Sequence, residues 1–510
     1  MQKRLWIGQL LTFVALGAGQ IVLSGNMPAG QSDELPAGFL LRRQQDPRAF
    51  MFKRAFLELA RTTRASRVRL MSRFPAAAEV EAAVSAIAIA GERAIPVLPV
   101  KFRNTQLVPF QRNALQDRLF GTGAGTMTSF YKENSYGLLS VSGTVRDWET
   151  LPSDDTFYEG PDFTFQGRQA TCNGICQGAK LGDLIQQALT SADGTTDFSQ
   201  FDNDGPDGRP NSGDDDGFVD FVAFVQPETG GECGGANNRN IWSHRWNYAT
   251  WKGTEFQTND NAAGGGKIKI DDYVIMPGLD CDGQTMIQIG VFAHEFGHAF
   301  GLPDLYDTDP ANGVSQGLGL WCLMASGSWG GDGRSPDQPT HMSAWAKTFL
   351  GWLQPRPVTT DTPSASLTPV EASRTAALKI PISATQYYLV EYRARQAFDA
   401  KLPSAGLLVW KINDTVITAG LANNRVNADA LNKGIDLVEA DGRNDLDRAL
   451  TAANPGNRGD AGDPYPGSSG NRRLDATSNP RSNGRVALCA ISNPGIAMTL
   501  QVLMTRNACQ

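Results

Sequence analysis

Two histidines, a glutamate and an aspartate crowd one short stretch of this chain: His294, Glu295, His298 and Asp304. Side chains four apart on a helix lie one turn apart on one face. His294 and His298 can therefore grip a single zinc ion from one side. Glu295, between them, can take the proton of a water that such an ion polarises. Gly301 suits the left-handed turn that stops a helix, and Pro303 prevents the helix from resuming. The turn can bring Asp304 back as a third ligand, because zinc accepts a carboxylate oxygen. The chemistry implied is metal-assisted hydrolysis.

The histidines need a rigid helix, and the sequence predicts one from Gln284 to Phe300. Ile289, Phe292, Phe296 and Phe300 recur at helical spacing and make one apolar face. Before it, strands are predicted over Ala94–Phe102, Leu138–Val145, Val219–Val225 and Lys267–Met276. Helices are predicted over Phe110–Leu119, Met127–Asn134 and Lys180–Ala192. From Val358 the texture changes to short β-type runs split by Gly, Pro, Asn and Asp. These are Ala376–Ile382, Tyr387–Tyr392, Leu407–Ile412, Ile435–Val438, Val486–Ile491 and Ala497–Met504, which read as a β-sandwich-like domain.

His294 to Asp307, HEFGHAFGLPDLYD, resembles the signature of secreted bacterial metalloproteases of the immune inhibitor A family. It is a variant of the long metzincin motif, with Asp304 in place of the last histidine. Trp321 to Trp329 is similar to the family's Met-turn, which implies Met324 as a floor beneath the zinc. Pro339 to Trp345 and Leu350 to Trp352 are similar to the helix that follows. Phe130 to Gly137, Asn240 to Trp246, Tyr388 to Arg393 and Gly406 to Trp410 also resemble family segments. The resemblance implies an α/β (α+β) zincin or metzincin-like catalytic domain. In such folds the strand at Lys267–Met276 borders the cleft, and substrate adds to it. Two departures stand out. Ser326 occupies the place where many metzincins carry a Tyr that stabilises the oxyanion, which leaves Tyr306 as the candidate helper. Lys411 replaces a histidine common in relatives. His244 and His341 read as structural, His341 as a polar group at a helix start.

The 510 residues suggest two or three domains. A net charge of -7 gives no footprint for nucleic acid. A basic start, then an apolar run from Leu5 to about Leu23, reads as a secretory signal over 1–25. No later run is apolar enough to span a bilayer. Residues 26–92 are rich in basic groups between Leu41 and Phe74, and read as a propeptide that docks on an acidic catalytic domain over 93–357; the plain alternative is a solvated or loosely packed basic helix. The β-rich domain then fills 358–510. In an exported chain the cysteines can oxidise. The expected pairs are Cys172–Cys176, Cys233–Cys281 and Cys489–Cys509, with Cys322 free and buried beside Met324, although spacing alone does not fix connectivity.

A second metal is expected in the acidic loop from Asp202 to Asp220. Hard cations take six to eight oxygens, and carboxylates on alternate positions among glycines can wrap one. Asp202, Asp204, Asp214, Asp216 and Asp220 are the candidate calcium ligands; the plain alternative is a solvated acidic turn. The loop Gly459–Pro466 is as readily a turn as a cation site. The whole reads as a secreted, monomeric zinc endopeptidase acting on protein and peptide substrates, with calcium as a second cofactor. One rival is a site whose third ligand is a more distant Glu. The other is a calcium-loaded surface or adhesion protein with a dormant protease domain.

Overall fold

The computed structural model describes residues 36–46, 49–50, 88–165, 167–205, 208–234, 238–309, 315–448, 458–484, 486–506 and 508–509. The expected signal and most of the expected propeptide lie outside these residues.

A mixed sheet organises the first half of the chain. Its strands run in the order Leu139–Val145, Gly91–Lys101, Val222–Thr229, Asp272–Leu279 and His244–Asn247. The first four are parallel, and His244–Asn247 pairs antiparallel at the outside. Alternation along the strands sends side chains to two faces. Val225, Val274 and Met276 join the core that holds Phe292 and Phe296. Phe224, Tyr273 and Ile275 join a second core with Leu184, Ile185 and Leu189. Those three leucine and isoleucine residues belong to the helix Leu181–Asp193, whose buried stripe is the one read from the sequence.

Most predicted elements are present within a few residues, and three expectations are corrected. The active-site helix runs Ile289–Ala299 and does not begin at Gln284. The Asp282 carboxylate accepts the amides of Gln284 and Thr285, and Ile287 N–H donates to Gly278 O, so this backbone is committed to a turn before any helix forms. The helix also has no solvent face, since all its residues from Ile289 to Ala299 are buried. Second, Lys267–Met276 is not one strand bordering the cleft. It breaks at Asp271, whose carboxylate accepts Ala249 N–H and whose carbonyl accepts Tyr248 N–H. Lys267–Ile270 pairs with Phe256–Asn261 outside the main sheet. Asp272–Leu279 has a partner on each side, so the outer position that a substrate strand needs belongs to His244–Asn247. Third, the strand predicted from Val219 begins at Val222, because Val219 and Asp220 N–H donate to Lys269 O and Phe201 O across the acidic loop.

Beyond Leu353 the chain forms two further sheets. One has five strands in the order Arg356–Pro357, Ala377–Pro381, Gln386–Arg393, Gly406–Asn413 and Ile435–Leu437; the other orders Thr362–Leu367, Met498–Leu503 and Ala487–Cys489. Leu378, Val390 and Val409 of the first share a core with Leu367, Leu500 and Val502 of the second. The opposite face of the five-stranded sheet carries Leu389, Leu408, Trp410 and Ile412 into the core of the active-site helix. The two halves are also joined by buried charge. Arg393 donates to both oxygens of Asp399, at 2.5 and 2.7 Å, and to Trp321 O at 3.2 Å. His341 sits in this junction, with Glu133 Oε1 2.6 Å from its Nε2 and Lys347 Nζ 2.7 Å from its Nδ1. It is a buried structural group two residues before the cap Ser343.

The disulfides are Cys172–Cys176, Cys233–Cys281 and Cys489–Cys509, with Cys322 free and buried. Among the described residues, no helix is long and apolar enough to cross a membrane.

Candidate metal centre

The helix presents His294 and His298 one turn apart, with ring centroids 4.8 Å from each other. Its end is a tight motif. Gly301 adopts φ +93°, its N–H donates to His298 O, and Leu302 N–H reaches back to Gly297 O at 3.1 Å. That pair of bonds satisfies the last carbonyls and reverses the chain. The reversal puts Asp304 Oδ1 3.0 Å from His294 Nε2 and 3.2 Å from His298 Nε2. Ligand atoms of the three residues all fall within 4.8 Å of one another. Two imidazole nitrogens and one carboxylate oxygen, all buried, form a donor set that fits zinc with a position left open.

The opposite ring nitrogens are held by main chain. His294 Nδ1 lies 2.9 Å from Leu323 O, and His298 Nδ1 lies 2.8 Å from Leu302 O. A carbonyl can only accept, so both Nδ1 atoms carry a proton and the Nε2 atoms are the ones turned to Asp304. Asp304 is clamped in turn by Asn424. Asn424 Nδ2 donates to Asp304 Oδ2 at 2.6 Å, and Asp304 N–H donates to Asn424 Oδ1 at 2.8 Å. Sequence reasoning missed Asn424; it stands in a polar turn 120 residues further on, with no local pattern to mark it. It also missed Tyr131, whose hydroxyl donates to Ala293 O at 2.5 Å and ties the helix Met127–Asn134 to the active-site helix.

Met324 lies beneath the helix. A side chain at Gly297 would meet Met324 Sδ at 2.4 Å, so the glycine lets the loop approach. Leu305 N–H donates to Met324 O at 2.7 Å. Glu295 is buried, and its Oε2 has no hydrogen-bond partner among the described residues. Burial pushes its carboxyl up to about 7, against the pull of the two imidazoles. The Tyr306 ring lies nearly parallel to that of His294, with centroids 6.4 Å apart. Burial and the neighbouring carboxylates push its hydroxyl well above the ordinary tyrosine range. His244 is structural: its Nδ1 is 2.7 Å from Trp242 O, its Nε2 is 3.0 Å from Tyr273 Oη, and burial lowers it to about 4.

The acidic loop is gathered differently from the alternate-position reading. Ligand oxygens of Asp202, Asp204 and Asp215 converge, and Asp215 was not among the expected ligands. Asp220 Oδ1 accepts Asn203 N–H at 3.1 Å. Asp214 and Asp216 lie outside the convergent group and bond within the loop, Asp214 to Ser212 Oγ and Asp216 to Phe218 N–H. Asp202 Oδ1 and Asn203 Oδ1 are buried without hydrogen-bond partners among the described residues. Burial and the surrounding carboxylates raise Asp202 to about 7.

A mixed α/β domain that brings two histidines and a carboxylate together beside a buried glutamate has the arrangement of a metallopeptidase. Residues 106–353 match the family described as Immune inhibitor A peptidase M6, catalytic domain. The chain is 32% identical over 248 residues to Immune inhibitor A of Bacillus thuringiensis subsp. alesti, a match covering 46% of this chain and 33% of that protein. It is 31% identical over 234 residues to the Pre-pro-metalloprotease PrtV of Vibrio cholerae serotype O1 (strain M66-2), covering 44% and 23%. The matched regions thus span about a quarter to a third of the length of these relatives.

Proposed function

We propose that this chain is an exported zinc endopeptidase that hydrolyses peptide bonds in proteins. The observation that carries the reading is the convergence of His294 Nε2 and His298 Nε2 on Asp304 Oδ1, beside the unpartnered Oε2 of Glu295. His294, His298 and Asp304 are the proposed ligands. When bound, zinc supplies Lewis acidity for the scissile carbonyl and acidifies a water. Glu295, buried between the two histidines, is the proposed acceptor of a proton from that water and its donor to the leaving amine. Tyr306, kept protonated by burial, is the proposed donor to the developing oxyanion, in place of the residue that Ser326 lacks. Met324 is the proposed floor of the site.

Calcium is proposed at Asp202, Asp204 and Asp215. Two buried oxygens without hydrogen-bond donors support this, because burying such groups is costly unless something satisfies them. We read the two sheets beyond Leu353 as a sandwich-like support for the catalytic half, and the N-terminal segment as removable only up to the strand Gly91–Lys101, short of the expected boundary at 92.

The test is casein hydrolysis by the purified chain, before and after limited proteolysis, with metal analysis and phenanthroline. Activity lost with the chelator and restored by zinc is expected. Glu295→Ala should keep zinc and fold but lose hydrolysis; a variant that still cleaves overturns the role of Glu295. Asp304→Ala retaining full zinc would move the third ligand to a more distant Glu. The dormant-protease reading is less favoured, since a binding module has no use for a buried, unpartnered Glu295 beside the histidine pair.

A further inference from the structure

The described part of the N-terminal region runs along the outer strand of the sheet and down towards the metal centre. Its helix Ala37–Gln45 packs so closely that a side chain at Gly38 would meet Cys172 O at 2.4 Å. Phe39 stacks on Phe50 with centroids 4.4 Å apart, and Phe50 in turn lies 4.4 Å from Trp246. Phe50 holds this place with φ +62°, a left-handed conformation that is uncommon for a bulky residue. On the other side, Arg43 Nη2 donates to Asn423 O at 2.6 Å, next to the Asn424 that clamps Asp304. The segment therefore reaches from the outer strand to the residue adjoining the third-ligand clamp.

Between these two anchors, Arg42 enters an aromatic corner. Its guanidinium carbon lies 5.0 Å from the Trp246 ring centroid and 4.9 Å from that of Trp251. The two indoles meet edge to face, 5.1 Å apart at 75°. The corner is held open by polar bonds. Trp251 Nε1 donates to Tyr273 Oη at 2.8 Å, and Tyr273 Oη also faces His244 Nε2. The π faces of Trp246 and Trp251 are thus presented to a cation. A planar guanidinium suits such faces, because it stacks and is more weakly hydrated than an ammonium.

We propose that Trp246 and Trp251 form a specificity subsite for an arginine side chain of the protein substrate, and that Arg42 is its internal occupant. The inference rests on the peptidase reading for the word substrate, while the cation site itself does not. Trp246 stands on the outermost strand, the position along which an extended peptide can pair; the strand packs beside the active-site helix, while the Trp246 ring lies on the other face of the sheet, with Tyr273. A basic side chain two indoles can hold would set the register of the peptide across the metal centre. Lysine is accepted less well, since it lacks the planar fork.

The test has two arms on the full chain. In the first, Arg42→Ala is labelled with fluorotryptophan and titrated with ethylguanidinium, with neutral ethylurea as control. Ethylguanidinium should fill the vacated corner and shift the resonances of Trp246 and Trp251, while ethylurea leaves them in place; equal response to both, or none to either, overturns the cation site. In the second, matched peptides carrying Arg or norleucine at each position are cleaved by Arg42→Ala after limited proteolysis. One position should show an Arg preference, and Trp251→Leu should reduce that preference roughly three- to thirtyfold, with Trp251→Phe retaining most of it. Binding in the first arm with no Arg preference in the second overturns the substrate role alone. Absence of all cleavage, with ethylguanidinium still bound, overturns the peptidase reading and with it the substrate role.

Discussion

Replacing Asn424 should loosen the proposed metal site without touching a proposed ligand. Its side chain makes two bonds to Asp304, one to the carboxylate at 2.6 Å and one from the Asp304 amide at 2.8 Å. A hydrogen bond to a charged group contributes about 1.5–3 kcal/mol, and loss of a ligand's supporting partner lowers metal affinity roughly 10–100-fold. That range corresponds to about 1.4–2.7 kcal/mol, so both routes give the same size of effect. Backbone strain complicates Asn424→Ala, because the residue has φ +54°. Asn424→Gly removes the same side chain without that strain. Both variants should bind zinc about ten- to a hundredfold more weakly in a chelator competition titration. The Ala variant should also be less stable than the Gly variant in denaturant titration, by about 1–2 kcal/mol. Zinc affinity of Asn424→Gly within about threefold of the parent would refute the argument that Asn424 holds the proposed third ligand, Asp304.

Three further outcomes are expected. Glu228 is pushed up to about 8 by burial and the nearby Glu159 and Asp155. The folded chain therefore holds a proton that the unfolded chain releases near 4.5, and this contribution is lost as pH rises from there through 8. Glu228→Gln should flatten that fall by on the order of 2–4 kcal/mol in denaturant titrations between those limits, and an unchanged slope would count against it. Arg393→Met leaves Asp399 buried and uncompensated at the junction of the two halves. It should cost about 3–5 kcal/mol of stability, and a loss under about 1 kcal/mol would contradict the burial argument. Calcium should raise the unfolding temperature of the parent but not of Asp202→Asn; an equal rise in both would remove Asp202 from the site.

The sequence was informative where chemistry is local. A helix with His294 and His298 one turn apart, ended at Gly301 and barred from resuming by Pro303, is written in neighbouring residues, and its end is a hydrogen-bonded turn that needs no distant partner. Amphipathic periodicity likewise marked Leu181–Asp193 within a residue, because one face meets the sheet. The start of the active-site helix was not legible, since a turn around Asp282 and a bond to Gly278 competed for the same amides. Which strand lies outermost was not legible either. It depends on His244–Asn247 folding back antiparallel onto Asp272–Leu279, a pairing that no local pattern specifies. Asp215 replaced its neighbours in the acidic cluster because loop closure, not spacing, chooses which carboxylates converge. Asn424, Tyr131 and the Leu323 carbonyl support the proposed metal centre from segments brought together only by packing. The residues proposed to hold the metal and move the proton are thus set by local sequence. Their orientation is a property of the tertiary structure, because the bonds that fix it cross the core.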